Sequence, residues 1–166
     1  MWRYCEGFRA GAKYINEAVT LIVAYRDDGS SEKLFIDDAW GFENANILIQ
    51  RGADVIFAVG GETGVGALRA ATEAKIKSIG AERDQGAALG EKGLSVVTSV
   101  LGRTSFTVQE LMRRVKSGDQ ADAERSPVGH VALDAVVQKS LIIELDKILE
   151  NLTAGEVKTN IPYKKP

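Results

Sequence analysis

Apolar residues along the chain recur in two rhythms, one helical and one strand-like, and turn-forming residues separate them. Over residues 3–15, Phe8, Ala12 and Ile15 fall at helical spacing with Gly7 and Gly11 beside them, which predicts a helix that lays one face on a sheet. Residues 19–25 (VTLIVAY) form a short run rich in branched side chains ahead of the polar stretch RDDGSSEK, and predict a strand. A second helix is expected with Asp37 or Asp38 as its N-cap, carrying Ala45, Leu48 and Ile49 inward and stopping at Gly52. Residues 54–59 (DVIFAV) hold five apolar residues in succession without alternation, which suits a parallel strand covered on both faces. A helix over 63–74, a brief strand over 77–80 and a strand over 94–100 follow. Val108, Leu111, Met112 and Val115 then mark a helix behind a capping-box pattern from Thr107 to Glu110, ended by Gly118. Strand and helix alternate four times, which predicts an α/β fold with a doubly wound parallel sheet and right-handed crossovers.

Beyond Gly118 the pattern changes. The stretch GDQADAERSP is polar and turn-prone, VGHVAL (128–133) reads as an outlying strand, and Val137, Leu141, Leu145, Ile148 and Leu152 predict a long amphipathic helix ending near Gly155. That helix needs a surface for its apolar stripe, and the first four units already account for the sheet.

Composition narrows the function classes. At 166 residues and 45% apolar content there is material for one sizeable core. Basic and acidic residues nearly balance at 21 against 23, and no run of like charge tracks a phosphate backbone, so nucleic acid is not an expected partner. No stretch reaches the roughly 20 apolar residues of a membrane span, and the start MWRYCEGFRAG lacks the apolar middle of an export signal. Cys5 is the single cysteine and is read as an ordinary, partly buried side chain.

In open parallel sheets ligands bind beyond the carboxyl ends of the strands, where loop amides and helix starts gather. Four segments qualify: 26–40, 60–66, 80–86 and 101–104. The loop GGETGVG (60–66) lets backbone approach a ligand at Gly60 and Gly61 and offers Thr63 to an oxygen; equally, it is a tight strand-to-helix turn. Its glycines do not fall at the spacing of a dinucleotide fingerprint, and no Gly-Lys-Ser/Thr follows. In AERDQ, Glu82 and Asp84 emerge after a strand end, where a carboxylate accepts paired sugar hydroxyls; alternating charge in a loop is also what a solvated turn looks like. Phe35 and Trp40 flank the second helix start, where an aromatic ring stacks on a base or packs at the rim. No nucleophile elbow, catalytic triad or metal-ligand spacing is present, no cofactor is implied, and the lone His130 is read as structural.

Taken together, EGFRAGAKYIN (6–16), VAY, FIDDAWG (35–41), QRGADVIFAVGGETGVGALRAA (50–71), IGAERDQG (79–86) and VVTSVLGR (96–103) are collinear segments. They resemble the basic membrane protein (BMP) family of substrate-binding proteins, which includes purine nucleoside receptors of ABC-type importers. The resemblance implies a lobe of a type I periplasmic-binding-protein-like clamshell: residues 1–118 as the second lobe, and 119–166 as a crossing segment, long helix and tail that pack on the first lobe or a partner. It implies a nucleoside-like ligand, with Phe35 stacking on the base, Gly60, Gly61 and Thr63 approaching the sugar, and Glu82 with Asp84 accepting its hydroxyls. The family usually has aspartate where Glu82 stands and lysine where Gly102 stands, so Arg103 is the neighbouring cation that takes the second role. An ABC permease as partner and a place outside the cytoplasmic membrane follow from the same resemblance, and self-association through the exposed interlobe face is the expectation for the lobe alone. The competing readings are a ligand-sensing or dimerisation domain of a regulatory protein, and a nucleoside-processing enzyme using Glu82 or Asp84 as acid and base.

Overall fold

The computed structural model describes residues 2–27, 33–102, 104–119, 128–133, 137–161 and 164. Helix α1 spans Trp2–Ile15, α2 spans Asp38–Gln50 and β1 spans Val55–Phe57. Helix α3 covers Gly61–Glu73, β2 covers Lys77–Ala81, and the short α4 is Gln85–Leu89. A 3₁₀ turn at Gly90–Gly93 leads to β3 at Val96–Gly102. Helix α5 covers Thr104–Lys116, β4 covers Val128–His130, and α6 covers Lys139–Ala154. The four strands form one sheet in the order β1-β2-β3-β4. The first three are parallel, and β4 runs antiparallel beside β3. The fold is therefore α/β with a mostly parallel sheet, and the outlying VGHVAL segment supplies its antiparallel edge.

One expected strand is absent: residues 19–25 carry no strand. Their path is set by side chains at either end. Ala18 N donates to Asn16 Oδ1 at 3.0 Å and Val19 N to Asn16 O at 3.2 Å, which closes a turn after α1. At the far end the Tyr25 hydroxyl donates to Glu6 Oε1 of α1 at 2.8 Å. Glu6 is only 4% exposed and also accepts from Arg9 Nε at 3.0 Å, so this buried carboxylate is fully engaged. Burial, reinforced by the Glu6 carboxylate, pushes the Tyr25 hydroxyl above its usual pKa.

The best-packed region lies on one side of the sheet. Ile56, Ala58, Leu68 and Ala71 form its centre, with Leu48 and Ile49 of α2 and Val96 of β3 against them. Small residues let α2 and α3 meet backbone to backbone. A Cβ on Gly41 would stand 1.8 Å from the Thr63 carbonyl oxygen, and one on Gly66 would stand 2.0 Å from that of Asp38. A second device is polar. The hydroxyls of Thr72 (α3) and Ser95 lie 2.8 Å apart and those of Ser95 and Ser78 (β2) 2.7 Å apart, and they join α3 to β2 through the residue that precedes β3 while partnering one another's polar groups. The β2-β3 register slips by one residue between Ser78 and Ile79, a bulge that turns the end of β3 relative to its neighbour.

The later helices behave differently. The stripe of α5 that the spacing predicts to face inward does not: Met112 is 67% and Val115 65% exposed. No residue of α6 is buried, and Leu141 and Ile143 are exposed. The periodicity marked both helices well: the α5 stripe stays largely uncovered among the described residues, whereas Val137, Leu145, Ile148 and Leu152 of the late stripe are half-buried and only Leu141 is exposed.

The glycine contacts make a sharp prediction. Gly41→Ala and Gly66→Ala force backbone apart and are expected to cost about 3 kcal/mol each, a fall of roughly 6–12 °C in melting temperature. Gly11→Ala, where an added Cβ meets nothing within 4 Å, is expected to be neutral or stabilising by up to about 1 kcal/mol. Calorimetry on the three variants checks the contrast.

Candidate functional site

Because β1, β2 and β3 are parallel neighbours, their carboxyl ends share one edge of the sheet, and the loops that leave them are gathered there. The first is the glycine turn. Gly60 has φ +123° and Gly61 φ +61°, conformations that side chains with a Cβ rarely adopt. A Cβ on Gly61 would also stand 2.6 Å from the Phe35 carbonyl oxygen. That carbonyl accepts from Glu62 N at 2.8 Å, so it occupies one of the free amides at the start of α3. The Phe35 ring lies over the turn, with Cδ1 3.8 Å from the Cβ position of Gly60, and the residue is 44% exposed. Thr63, by contrast, is 7% exposed. Its hydroxyl accepts from Asp37 N at 3.0 Å, which straps the 33–37 loop to α3.

Asp37 is the centre of the second group. It caps α2 by accepting from Trp40 N at 3.0 Å, while its other oxygen pairs with Arg26 Nη1 at 2.5 Å. The Arg26 guanidinium also sits 5.3 Å from the centre of the Trp40 ring, a cation over an aromatic face. The amide bond from Trp40 and then the Arg26 partner hold the Asp37 carboxyl below the usual carboxylate range. Trp40 is thus a half-buried rim residue clamped by charge. A further tie, Arg69 Nη1 to Asp38 Oδ2 at 2.8 Å, pins the start of α2 to α3.

The third group follows β2. Glu82 is exposed and has φ +74°, unusual for a residue with a side chain. Its amide donates to Val100 O of β3 at 2.8 Å. Asp84 caps α4 by accepting from Ala87 N at 3.0 Å, which commits one carboxylate oxygen and leaves the other toward solvent. Gln85 anchors the turn from within: its amide donates to Ser99 Oγ at 3.1 Å and its Nε2 to Ala81 O at 3.0 Å. Arg103 lies outside the described residues.

The structure therefore brings Phe35, Trp40, Gly60, Gly61 and Thr63 into one contact group, with Glu82 and Asp84 at the neighbouring strand end. Sequence reasoning did not single out Arg26 or Gln85. Asp37 is one of two N-cap candidates in the sequence, Asp37 or Asp38, but nothing local marks Arg26 as its partner. Chemically the rim offers one aromatic face, glycine backbone and carboxylate acceptors. Among the described residues no group of three or more His, Cys, Asp or Glu could hold a metal ion. His130 lies on the outer strand β4, paired with Val100 of β3, with Nδ1 2.9 Å from Val131 O and Nε2 3.9 Å from Asp146 of α6.

This architecture is that of solute-binding proteins. A solute-binding protein of an ABC transporter system from Conexibacter woesei superposes with TM-score 0.71 at 23% identity, covering 95% of this chain and 51% of that one. Solute-binding proteins from Aeropyrum pernix give TM-score 0.67 at 18% identity over 99% and 54%. A transcriptional activator of the comK gene from Bacillus halodurans gives 0.69 at 19% over 92% and 53%. Residues 1–152 match the family described as ABC transporter substrate-binding protein, PnrA-like, and the chain belongs to that family. The "CD4+ T-cell-stimulating antigen" of Listeria monocytogenes is 26% identical over 176 aligned residues, 94% of this chain and 48% of that protein, and its namesake in Listeria innocua matches equally. The chain spans about half the length of these curated relatives.

The engaged carboxylates give a pH prediction. Glu6 is held below its usual range by the hydrogen bonds from Arg9 and Tyr25, and Asp37 by Trp40 and Arg26. A depressed folded pKa adds stability that is complete above the unfolded carboxylate range, about pH 4, and drains as pH falls through the lower folded values. Urea midpoints measured from neutral pH downward are expected to fall steeply below about pH 4. Glu6→Gln and Asp37→Asn are each expected to start lower and to flatten that limb. Parallel limbs for wild type and variants would contradict the assignment.

Proposed function

We propose that this chain serves as one lobe of a clamshell receptor for a nucleoside-like solute, which it binds without chemical reaction and releases to an ABC permease outside the cytoplasmic membrane. The observation that carries the reading is the contact of the exposed Phe35 ring with the Gly60-Gly61 turn at the carboxyl edge of β1, beside the Glu82 strand end. A planar base stacks on the ring, the glycines leave room for a sugar, and Glu82 with Asp84 accepts its hydroxyls. Arg103, the residue after Gly102 in the sequence, is the cation assigned to this reading. Thr63 and Trp40 act from behind: the first shapes the Phe35 loop, and the second holds the rim together with Arg26 and Asp37.

A rim with one wall leaves a ligand largely wet, whereas tight small-molecule sites bury roughly 70–90% of the ligand surface. Binding by the lobe alone is therefore weak, and it tightens when a second wall closes over the solute and selects the closed state. Without that wall the exposed interlobe face promotes self-association. No described helix is long and apolar enough to cross a membrane.

Thermal-shift measurement against purine and pyrimidine nucleosides at millimolar concentration tests the reading. At tenfold excess over Kd the stabilisation is about 1.4 kcal/mol, a rise of roughly 3–6 °C. Phe35→Ala and Glu82→Ala are expected to abolish the rise while leaving the unliganded melting temperature within about 2 °C. A rise that survives both substitutions would move the site elsewhere, and no rise with any nucleoside would remove the ligand class.

A further inference from the structure

Glu82 stands just past the carboxyl end of β2 with φ +74°, a conformation that strains a residue carrying a Cβ and suits glycine. Two hydrogen bonds hold it there. The peptide group between Ala81 and Glu82 donates through Glu82 N to Val100 O of β3 at 2.8 Å and accepts at Ala81 O from Gln85 Nε2 at 3.0 Å. With its N–H and its C=O both tied, that planar group is held against rotation, and the rotation it is denied is the one that would carry Glu82 to an ordinary φ.

Gln85 reaches Ala81 along a fixed course. Its own amide donates to Ser99 Oγ at 3.1 Å, and its side chain lies against Gly80, where a Cβ would stand 2.6 Å from Gln85 Cγ and 2.7 Å from Ser99 Oγ. Gln85 is 7% exposed and Ser99 is fully buried. The arrangement carries a second cost besides the Glu82 conformation. Gln85 Oε1 is buried and has no hydrogen-bond partner among the described residues, and a buried acceptor left unpaired destabilises a fold. Glycine at position 82 and an apolar side chain at position 85 would allow the turn without either cost. What they would lose is the Glu82 carboxylate and its fixed direction.

We propose that Gln85 is a positioning residue of the rim: it locks the Ala81–Glu82 peptide so that the Glu82 carboxylate is presented to the donors of a solute in one direction. The proposal rests on the reading of Glu82 as a solute acceptor. Gln85 itself touches no solute, because its side chain is buried behind the turn. Its effect passes through the peptide group it holds. An acceptor already set in direction leaves less to be ordered when a solute binds, so the lock adds affinity while the strained residue and the unpaired oxygen subtract stability.

Thermal unfolding of Glu82→Gly, Gln85→Met and the double variant, without solute, reads the coupling. With Gln85 in place, Glu82→Gly is expected to raise the melting temperature by about 2–4 °C, because glycine takes the locked conformation without strain. In the Gln85→Met background the freed peptide relaxes, and the same substitution is expected to give no rise. Equal rises in both backgrounds would overturn the proposal. Amide exchange on the unsubstituted chain needs no variant to fold: Glu82 N–H is expected to exchange at least about 100-fold slower than an unstructured amide, and fast exchange there would also overturn it. Nucleoside titration supplies the solute arm, in which Gln85→Met is expected to raise Kd at least about tenfold. An unchanged Kd would remove the positioning role. No response to any nucleoside in the unsubstituted chain would count against the solute reading and not against the lock, which the melting-temperature cycle decides.

Discussion

Backbone contact between α2 and α3 is the constraint on which the candidate site depends. The helices cross where neither Gly41 nor Gly66 carries a side chain, so a carbonyl of each chain segment occupies the space a methyl group would take. At that separation the starts of both helices reach one rim. The 33–37 loop has to pass between them, and it does so by spending its polar groups on α3: the Phe35 carbonyl on Glu62 and the Asp37 amide on the Thr63 hydroxyl. The Phe35 side chain is what remains for solvent or a ligand. A wider helix crossing would release the loop, and the aromatic face would lose its fixed relation to the glycine turn.

The molecule is unequal in how it covers its apolar surface. Around β1, β2 and α3 side chains are packed, whereas α5 leaves Val108, Met112 and Val115 exposed and the stripe of α6 is half-buried except at Leu141. The curated relatives that match here are about twice as long as this chain. The exposed stripe of α5 is where further packing has most apolar surface to cover.

Much of this was legible in the amino-acid order. A continuous apolar run marked β1, the Asp37 cap marked the start of α2, and helical spacing located α5 and α6 to within a few residues. The misses share a cause. Whether VTLIVAY pairs depends on the β1 edge rather than on its own residues, and whether Val108, Met112 and Val115 are buried depends on a neighbour that periodicity does not name. At the site, residue type identified Phe35, the glycines and the carboxylates, because aromatic, flexible and acidic groups stand out in loops. Arg26 and Gln85 escaped, since their importance lies in partners 11 and 14 positions away, Asp37 and Ser99.

The hydroxyl chain from Thr72 through Ser95 to Ser78 has a property that a chain of amides lacks. Thr72 Oγ1 lies within bonding distance of Leu68 O at 3.1 Å, Lys92 O at 2.9 Å and Ser95 Oγ at 2.8 Å, yet it owns a single proton. The carbonyls that can take the terminal proton, Leu68 O and Lys92 O, both stand at the Thr72 end, so the protons run from the buried Ser78 through Ser95 to Thr72. The seam between helix and sheet thus has one sense and two alternative terminators, and losing either carbonyl leaves the chain still closed.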